Sequence, residues 1–466
     1  MIRQTERTNK DRISQVEKSF REVFPHATAI QPYQAHKGYH RLFTPWIVLW
    51  CWIYQRLCGE HHCDEVVVAL RDGTLDHLEA EGRKAPLSQR CRSQSTSGYC
   101  QARKRIPVAM FQQALIASSG HLRNLVGSAV AGIERAVYLL DGSTLRLRPT
   151  PALERAYGIH RTVKKGSYWV VIRFAALFCL HSGSLTAARE GSLHTSETQL
   201  GIGCILEQAS PGLYIADRGF GIFSVAQAVR AVGGDSLFRL TRLRAMKLYR
   251  EQFYPGMDVL VQWNPSSKDH LDTHLSAAPI AGRLIYVRLE RKGFRSQDLY
   301  LFTTLPDREA FPAKRLVAFY GLRWQAEVDL RYVKRSLGLH TLQGKSVDII
   351  RKDLYVGLLA YNLIRLFILA GARRAHLQPS ALSFVMVLRR VSRFLFQPIT
   401  DQDCSWWLGL ERLVSELARC KLPSRKERRG EPRWVRPREK TYPEFWSSRI
   451  IARVLYYHKL QTAAVW

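Results

Sequence analysis

Between residues 136 and 220 the chain changes from helical to strand periodicity, in an order that few folds accommodate. The run Ala136-Val-Tyr-Leu-Leu-Asp141-Gly-Ser-Thr144 is apolar and ends in an acid and a turn; alternating Leu145 and Leu147 follow. Tyr168 to Leu180 is a second, long β-rich run, His181-Ser-Gly-Ser184 a hairpin turn, and Leu185 to Arg189 a third strand. Thr195 or Ser196 can cap a helix reaching about Gln208, and Gly212-Leu-Tyr-Ile-Ala-Asp217 is a short strand closing on another acid. Strand, strand, strand, helix, strand, with acids ending the first and fourth strands, predicts an α+β chain whose mixed sheet is flanked by helices.

The segments on either side read differently. In residues 1–130, Ile13 to Phe20, Trp46 to Leu57 and Asp64 to Leu70 space their apolar residues three and four apart, as helices do. A polar stretch from Ser93 to Gly98 then leads to Arg103-Lys-Arg105, Pro107 and the amphipathic segment Met110 to Ala117. Two helices around a polar turn could set Arg103 and Arg105 on DNA phosphates; a solvated helix face is the bland alternative. Ser236 to Leu305 returns to strands (236–241, 259–263, 284–289, 299–304), with turns at Pro255-Gly256, Asn264-Pro265 and Lys292-Gly293. Helix resumes after Asp307, with Pro312 near its start, and runs beyond Lys334. The expected division is a helical N-terminal DNA-binding domain (1–130), a mixed-sheet core in two parts (131–244 and 313–400), a β-rich insertion (245–312) and a basic C-terminal region (401–466). Within the last, Lys421 to Lys440 holds nine basic and three acidic residues interleaved with Trp434 and Pro437, which suits an extended arm on a phosphate backbone.

Charge narrows the partner. Lys and Arg number 70 against 39 Asp and Glu, a net charge of +31 over 466 residues. With 46% hydrophobic and 11% aromatic residues, a disordered basic tail protein is excluded and a folded polyanion-binding chain remains. The nine cysteines are odd in number and lack a framework, so reduced thiols in a cytoplasm are expected. The N-terminal stretch has no apolar core of a secretory signal. Phe43 to Tyr54 is too short to span a bilayer, and Tyr355 to Ala372 carries Asn362 and Arg365, so a buried helix and no membrane partner are expected. Cys58, His61, His62 and Cys63 lack a second ligand doublet of zinc-site spacing; Cys91 and Cys100 are too loosely placed, and ordinary residues at a helix end are expected.

The segment carrying the most chemistry is Tyr320-Gly-Leu-Arg323-Trp-Gln-Ala-Glu327-Val-Asp-Leu-Arg331-Tyr-Val-Lys334. On one α-helix, positions 320, 323, 327, 331 and 334 share a face over about 21 Å. A lone Glu amid cations is usually a surface ion-pair lattice. If that helix packs on the sheet, however, Glu327 joins Asp141 and Asp217. Three such carboxylates can hold two divalent cations for phosphoryl transfer, with oxygen ligands suited to Mg²⁺. Asp329 is the decoy, two residues on and facing away.

These residues resemble the bacterial insertion-sequence transposases of the DDE superfamily, in the subgroup with the signature YxxRxxxExxxxxxK. Tyr320, Arg323, Glu327 and Lys334 match it at every position; Leu139-Leu-Asp141-Gly-Ser-Thr144 resembles the first-acid motif, and Ile215-Ala-Asp217-Arg-Gly-Phe220 the second. Trp324, Leu359 to Arg365 and the Tyr99 to Pro107 segment extend the likeness to about residues 60–440. The resemblance implies a ribonuclease-H-like core interrupted before the Glu-bearing helix. It further implies two Mg²⁺ ions (Mn²⁺ able to substitute) on Asp141, Asp217 and Glu327, and cut-and-paste chemistry through a hairpin intermediate. By the same resemblance Tyr320 and Arg323 would hold the 5′ phosphate of the non-transferred strand and Lys334 the transposon-end backbone. Arg331, outside the signature, would assist, and Trp263 would stack a flipped base unless it is an ordinary buried strand residue. The implied partners are double-stranded DNA, as terminal inverted repeats and target, and a second copy in a synaptic homodimer; the implied location is the bacterial nucleoid. A catalytically inactive DNA-binding protein of the same fold is the rival reading, and a purely hydrolytic nuclease a weaker one.

Overall fold

The protein is described as a computed structural model covering residues 42–59, 62–76, 85–126, 135–159, 169–266, 275–290, 297–396 and 406–422, with single residues between 451 and 458. Ile13 to Phe20, His61, the Lys292-Gly293 turn and the basic arm beyond Leu422 lie outside these residues.

Among the described residues, five helices come first: α1 (Pro45–Cys58), α2 (Cys63–Arg71), α3 (Leu87–Arg90), α4 (Ser97–Arg105) and α5 (Val108–Val126). Thr44 caps α1 through its side chain, Pro45 opens it, and Gly59 ends it at φ +75°, a left-handed conformation that costs a glycine little. Then β1 (Val137–Leu147), α6 (Pro151–Tyr157), β2 (Val170–Cys179) and β3 (Leu185–Gly191) follow, with the two hairpin strands antiparallel. The predicted helix is α7 (Glu197–Gln208), held by a capping box between Ser196 and Gln199. It leads to β4 (Leu213–Ala216), α8 (Phe223–Ala231) and β5 (Asp235–Leu240), whose β4 is parallel to both β1 and β5.

Next come α9 (Arg242–Leu248) and the strands β6 (Asp258–Trp263), β7 (Ile280–Leu289) and β8 (Gln297–Thr303). These three strands do not stand apart. β8 pairs with β5, so the sheet runs β3-β2-β1-β4-β5-β8-β7-β6 without a break. A helical half follows: α10 (Ala313–Gly321), α11 (Trp324–Arg331), a π-helical turn (Tyr332–Ser336), β9 (Thr341–Leu342), α12 (Val347–Arg374), α13 (Phe384–Phe396) and α14 (Trp406–Leu417).

Strand alternation divides the molecule into two cores, one on each face of the sheet. Val137, Leu139 and Leu145 of β1 face the core shared with α1, α5, α10, α11 and α12. Tyr138 and Leu140 face the core shared with α7, α8 and the β6–β8 strands. Period-2 burial of this kind fixes register, because a one-residue slip would turn every side chain to the wrong face. The mixed sheet between helices matches the expected architecture.

Helix α12 joins the two halves. It is apolar and long enough to cross a membrane, yet 94% of its most apolar stretch is buried inside the protein. Its polar residues are satisfied there: Asn362 donates to Ser118 and to the Leu185 carbonyl and accepts from the Leu185 N–H. Asp353 accepts from Trp52 Nε1 at 2.6 Å and pairs with Arg56 at 2.6 Å, and the Lys352 ammonium donates to the carbonyls of Arg103 and Lys104. The buried-helix expectation therefore holds.

Two local expectations do not. Asp141 does not end its strand: β1 continues through Gly142-Ser-Thr to Leu147, paired to β2 throughout. Nor do residues 320–334 form one α-helix. The chain leaves α10 at Gly321, re-enters helix at Trp324, and widens into the π turn at Tyr332. That turn closes with Leu337 N–H bonding to the Tyr332 carbonyl, and Gly338 at φ +70° releases the chain toward β9.

Candidate active site

The first two acids meet through strand register. β1 and β4 are parallel and paired up to Leu140 opposite Ala216, so Asp141 and Asp217 occupy the next position along. Asp141 remains in the sheet and its Oδ1 accepts from the Gly142 N–H at 2.8 Å. Asp217 lies just past β4 in a turn, where its Oδ1 accepts from the N–H groups of Gly219 at 2.8 Å and Phe220 at 3.4 Å. Asp217 thus also shapes the turn that follows β4, and its Oδ2 is uncommitted among the described contacts. Burial pushes the Asp141 carboxyl up to about 7; the Gly142 N–H and Arg323 oppose the shift, while Asp217 and Glu327 add to it.

Helix α11 brings the third acid. Ala326 and Leu330 bury its inner side beneath the sheet, and Glu327, one residue on from Ala326, stays 38% exposed at the edge. Arg323 links the set: Nη2 lies 2.5 Å from Glu327 Oε1 and Nη1 lies 3.9 Å from Asp141 Oδ2. Its guanidinium also sits 5.9 Å from the ring centroid of Tyr320, which is itself buried in α10. A cation of the protein's own therefore stands between two of the three carboxylates. Among the described residues, no three His, Cys, Asp or Glu side chains close on a common point at metal-holding distance, this set included.

The remaining signature residue reaches the same strand. Lys334, carried by the π turn, donates from Nζ to Ser143 Oγ at 2.9 Å, two residues beyond Asp141. Burial, with Arg335 and Arg146, pulls its ammonium below the ordinary lysine range. Arg331 is exposed and makes no hydrogen bond or ion pair with any of the three acids among the described contacts. Asp329 turns inward as expected, fully buried against the Arg365 guanidinium with Gln325 donating at 3.0 Å.

Three expected DNA contacts fare differently. Trp263 is only 8% exposed and packs edge-on to Phe302 and Phe223, so no ring face is free for a base. It is a core residue, the blander of the two readings. Arg103 points inward: its guanidinium lies 3.8 Å over the Trp52 ring, donates to Cys63 Sγ at 3.1 Å and approaches Asp353. That stacking and pairing tie α4 to α1 and α12 and withhold Arg103 from phosphates. Arg105 is exposed on the other side of α4. Of the Cys and His residues around the end of α1, Cys58 is exposed and Cys63 Sγ accepts from Arg103.

Two residues at the site escaped the sequence reading. Ser143 is one, as the partner of Lys334. Glu197 is the other: it opens α7, and its carboxylate lies against Gly142 so closely that a Cβ there would collide with it. Burial pushes this carboxyl above the usual range; Arg173 opposes the shift and Asp217 adds to it. The available signal was a glycine directly after the strand acid and an acid in the first turn of a capped helix.

Two aspartates at neighbouring parallel strands and a glutamate on a helix thus lie around one mixed sheet with helices on both faces. Residues 133–363 match the family model described as Transposase DDE domain, a narrower span than residues 60–440. The chain belongs to the insertion-sequence DDE transposases. It is 28% identical over 314 residues to transposase InsG for insertion sequence element IS4 of Escherichia coli (strain K12), covering 65% of this chain and 68% of that one. Among solved structures it has a TM-score of 0.38, at 12% identity, to the piggyBac transposase synaptic complex with hairpin DNA, over 89% of this chain and 83% of the other. That likeness is too loose to establish a common fold.

Proposed function

We propose that the chain is a cut-and-paste transposase that cleaves DNA at its element's ends and joins them to target DNA. In this reading Asp141, Asp217 and Glu327 are the catalytic acids of a ribonuclease-H-like core, and strand cleavage proceeds through a hairpin intermediate. The observation that carries it is the neighbouring placement of Asp141 and Asp217 with Glu327 tied to the first through Arg323.

The donor set fits Mg²⁺ or Mn²⁺. All three side chains are carboxylates, which suit hard divalent ions, and the Arg323 guanidinium balances part of their charge. Such ions would supply an activated oxygen nucleophile and charge stabilisation on the leaving oxygen. The protein's part is positioning: β1 and β4 fix the two aspartates, and α11 delivers Glu327. Arg323 is a bidentate donor matched to phosphate, and its move onto DNA would free the carboxylates for the cations. Tyr320, whose ring centroid lies 5.9 Å from that guanidinium, would share the phosphate with it. Lys334, braced on Ser143, presents a point charge to the phosphate backbone near Asp141. The N-terminal helices, including exposed Arg105, and the basic C-terminal region would bind the element ends, and two ends call for a homodimer.

The test is a nicking and strand-transfer assay on a plasmid bearing the inverted repeats that flank the reading frame. Cleavage in Mg²⁺ by the wild type, its absence in EDTA and its loss in Asp141→Ala are expected. End binding without cleavage under every divalent-ion condition would leave the inactive DNA-binding reading in its place.

A further inference from the structure

We propose that the cavity between the N-terminal helices and the exits of β1 and β9 is a phosphate site. Its ligand is a backbone phosphate of the element's end DNA, roughly seven base pairs inward of the cut. This rests on DNA being cleaved at Asp141 and Asp217.

The cavity has a volume of about 510 Å³. Strands β1 and β9 run parallel with Leu147 opposite Leu342, so Arg148 and Gln343 leave the sheet side by side, and Lys345 follows. The last turns of α1 and α4 bring Arg56, Arg103 and Lys104, and α12 brings Asp353. Five Lys or Arg side chains thus line the space against one carboxylate. Arg103 is already committed to Trp52, Cys63 and Asp353. Lys104, Arg148 and Lys345 are exposed to solvent.

Arg56 is the residue that points to a ligand. It is only 5% exposed and its Nη2 pairs with Asp353, yet its Nε and Nη1 are buried without a hydrogen-bond partner. Unmet buried N–H groups cost stability that a ligand in the cavity would restore. Gln343 Oε1 is also buried there without a partner, which suits a water held beside that ligand. Water alone is the bland alternative. It could satisfy the N–H groups but would leave the excess of positive charge, whereas phosphate oxygens accept from a guanidinium fork and carry the countercharge.

A free phosphate or a DNA backbone could supply this group, and β1 favours DNA. The strand carries Asp141, then Ser143 with the Lys334 ammonium bonded to it, and runs on to Arg148 at the cavity. Seven residues at about 3.3 Å each put the cavity about 23 Å from Asp141, roughly seven base pairs along a duplex. A backbone leaving Lys334 along β1 therefore meets the cavity next, and a free anion has no use for such a line of cations.

The test is a scan of an end duplex in which one phosphate at a time is replaced by neutral methylphosphonate, with affinity read by gel shift. The wild type should lose about ten-fold at the cut and again at one phosphate roughly seven base pairs inward. Two variants are compared, Arg56→Lys and the double substitution Arg148→Gln with Lys345→Gln. Each should bind the unmodified duplex about ten-fold more weakly, with a salt slope shallower by about one. Each should also ignore the inward methylphosphonate while still responding at the cut. An inward response as large in either variant as in the wild type overturns the proposal. So does a wild-type scan that is sensitive at the cut and flat inward, which leaves the active-site reading standing. A scan flat at both positions means that the active-site reading has failed, and this site with it. Isothermal titration with inorganic phosphate and with a deoxynucleoside monophosphate forms the second arm. Arg56-dependent binding of either, with a flat inward scan, assigns the cavity to a free anion and overturns the DNA assignment. Melting temperatures are read alongside; should Arg56→Lys fail to fold, the double variant, changed only at exposed positions, decides by the same criteria.

Discussion

Asp141 and Asp217 stand one position past Leu140 and Ala216, the last residues paired between the parallel strands β1 and β4. Neighbouring strands lie about 4.8 Å apart, and in-register side chains project to the same face. The pairing of eight apolar residues therefore dictates where two charges meet. β4 stops there while β1 continues, so Asp217 is anchored by turn N–H groups and Asp141 by its strand.

Glu327→Gln preserves size and hydrogen bonding but removes one negative ligand. Nicking and strand transfer in Mg²⁺ should fall by about 100-fold or more, since ligand-sphere losses of this kind are rarely smaller. Affinity for end DNA should stay near wild type or rise slightly, because a negative charge facing phosphates is gone. Gel-shift and plasmid-nicking assays on one preparation check both; near-normal cleavage would falsify the assignment of Glu327.

Arg323→Gln takes away the cation standing between Glu327 and Asp141. In the absence of DNA, divalent ions should bind more tightly, by on the order of ten-fold, since a competing positive charge has left. End-DNA affinity should fall at the same time. Isothermal titration with Mn²⁺ against gel shift separates the effects, and unchanged Mn²⁺ affinity means that Arg323 does not compete for the site.

Asp329→Asn should act on stability. It leaves the buried Arg365 guanidinium without its countercharge, and breaking a buried pair costs about 3–5 kcal/mol. A large drop in urea midpoint is expected, with cleavage per folded molecule preserved. Normal stability with lost cleavage would make Asp329 the third acid in place of Glu327.

Asp353→Asn tests the joint between the N-terminal helices and the sheet. Burial pushes the Asp353 carboxyl up, but Arg56 and Arg103 outweigh it and hold it below its usual value. A depressed carboxyl contributes stability that is full above the unfolded-state pKa of about 4 and lost as pH falls through the folded value. The stability gap between wild type and Asp353→Asn should therefore be large at pH 7 and shrink below about pH 4. Urea melts at both pH values check it; a gap that widens on acidification sinks the assignment.

Local signals determined a good part of this protein. Runs of Val, Ile and Leu marked β1, β2 and β4, Ser196 marked the start of α7, and the apolar length with Asn362 and Arg365 marked α12 as buried. The order of Asp141, Asp217 and Glu327 and the signature around Glu327 were equally legible, because motif spacing is a property of the chain. Tertiary structure alone decided which cations were spent. Arg103 and Arg105 are indistinguishable in sequence, yet one stacks on Trp52 beside Asp353 and the other is solvated. Trp263 became core only when β6, β7 and β8 paired side by side and set Phe302 against it. The break at Arg323 and the π turn under Lys334 belong to the same group, since packing on β1 outweighed the regular helical period. Glu197 and Gly142 meet because a capped helix and a strand cross on the second face of the sheet. Proximity between residues far apart in the chain follows from burial and register in three dimensions, to which a one-dimensional spacing is blind.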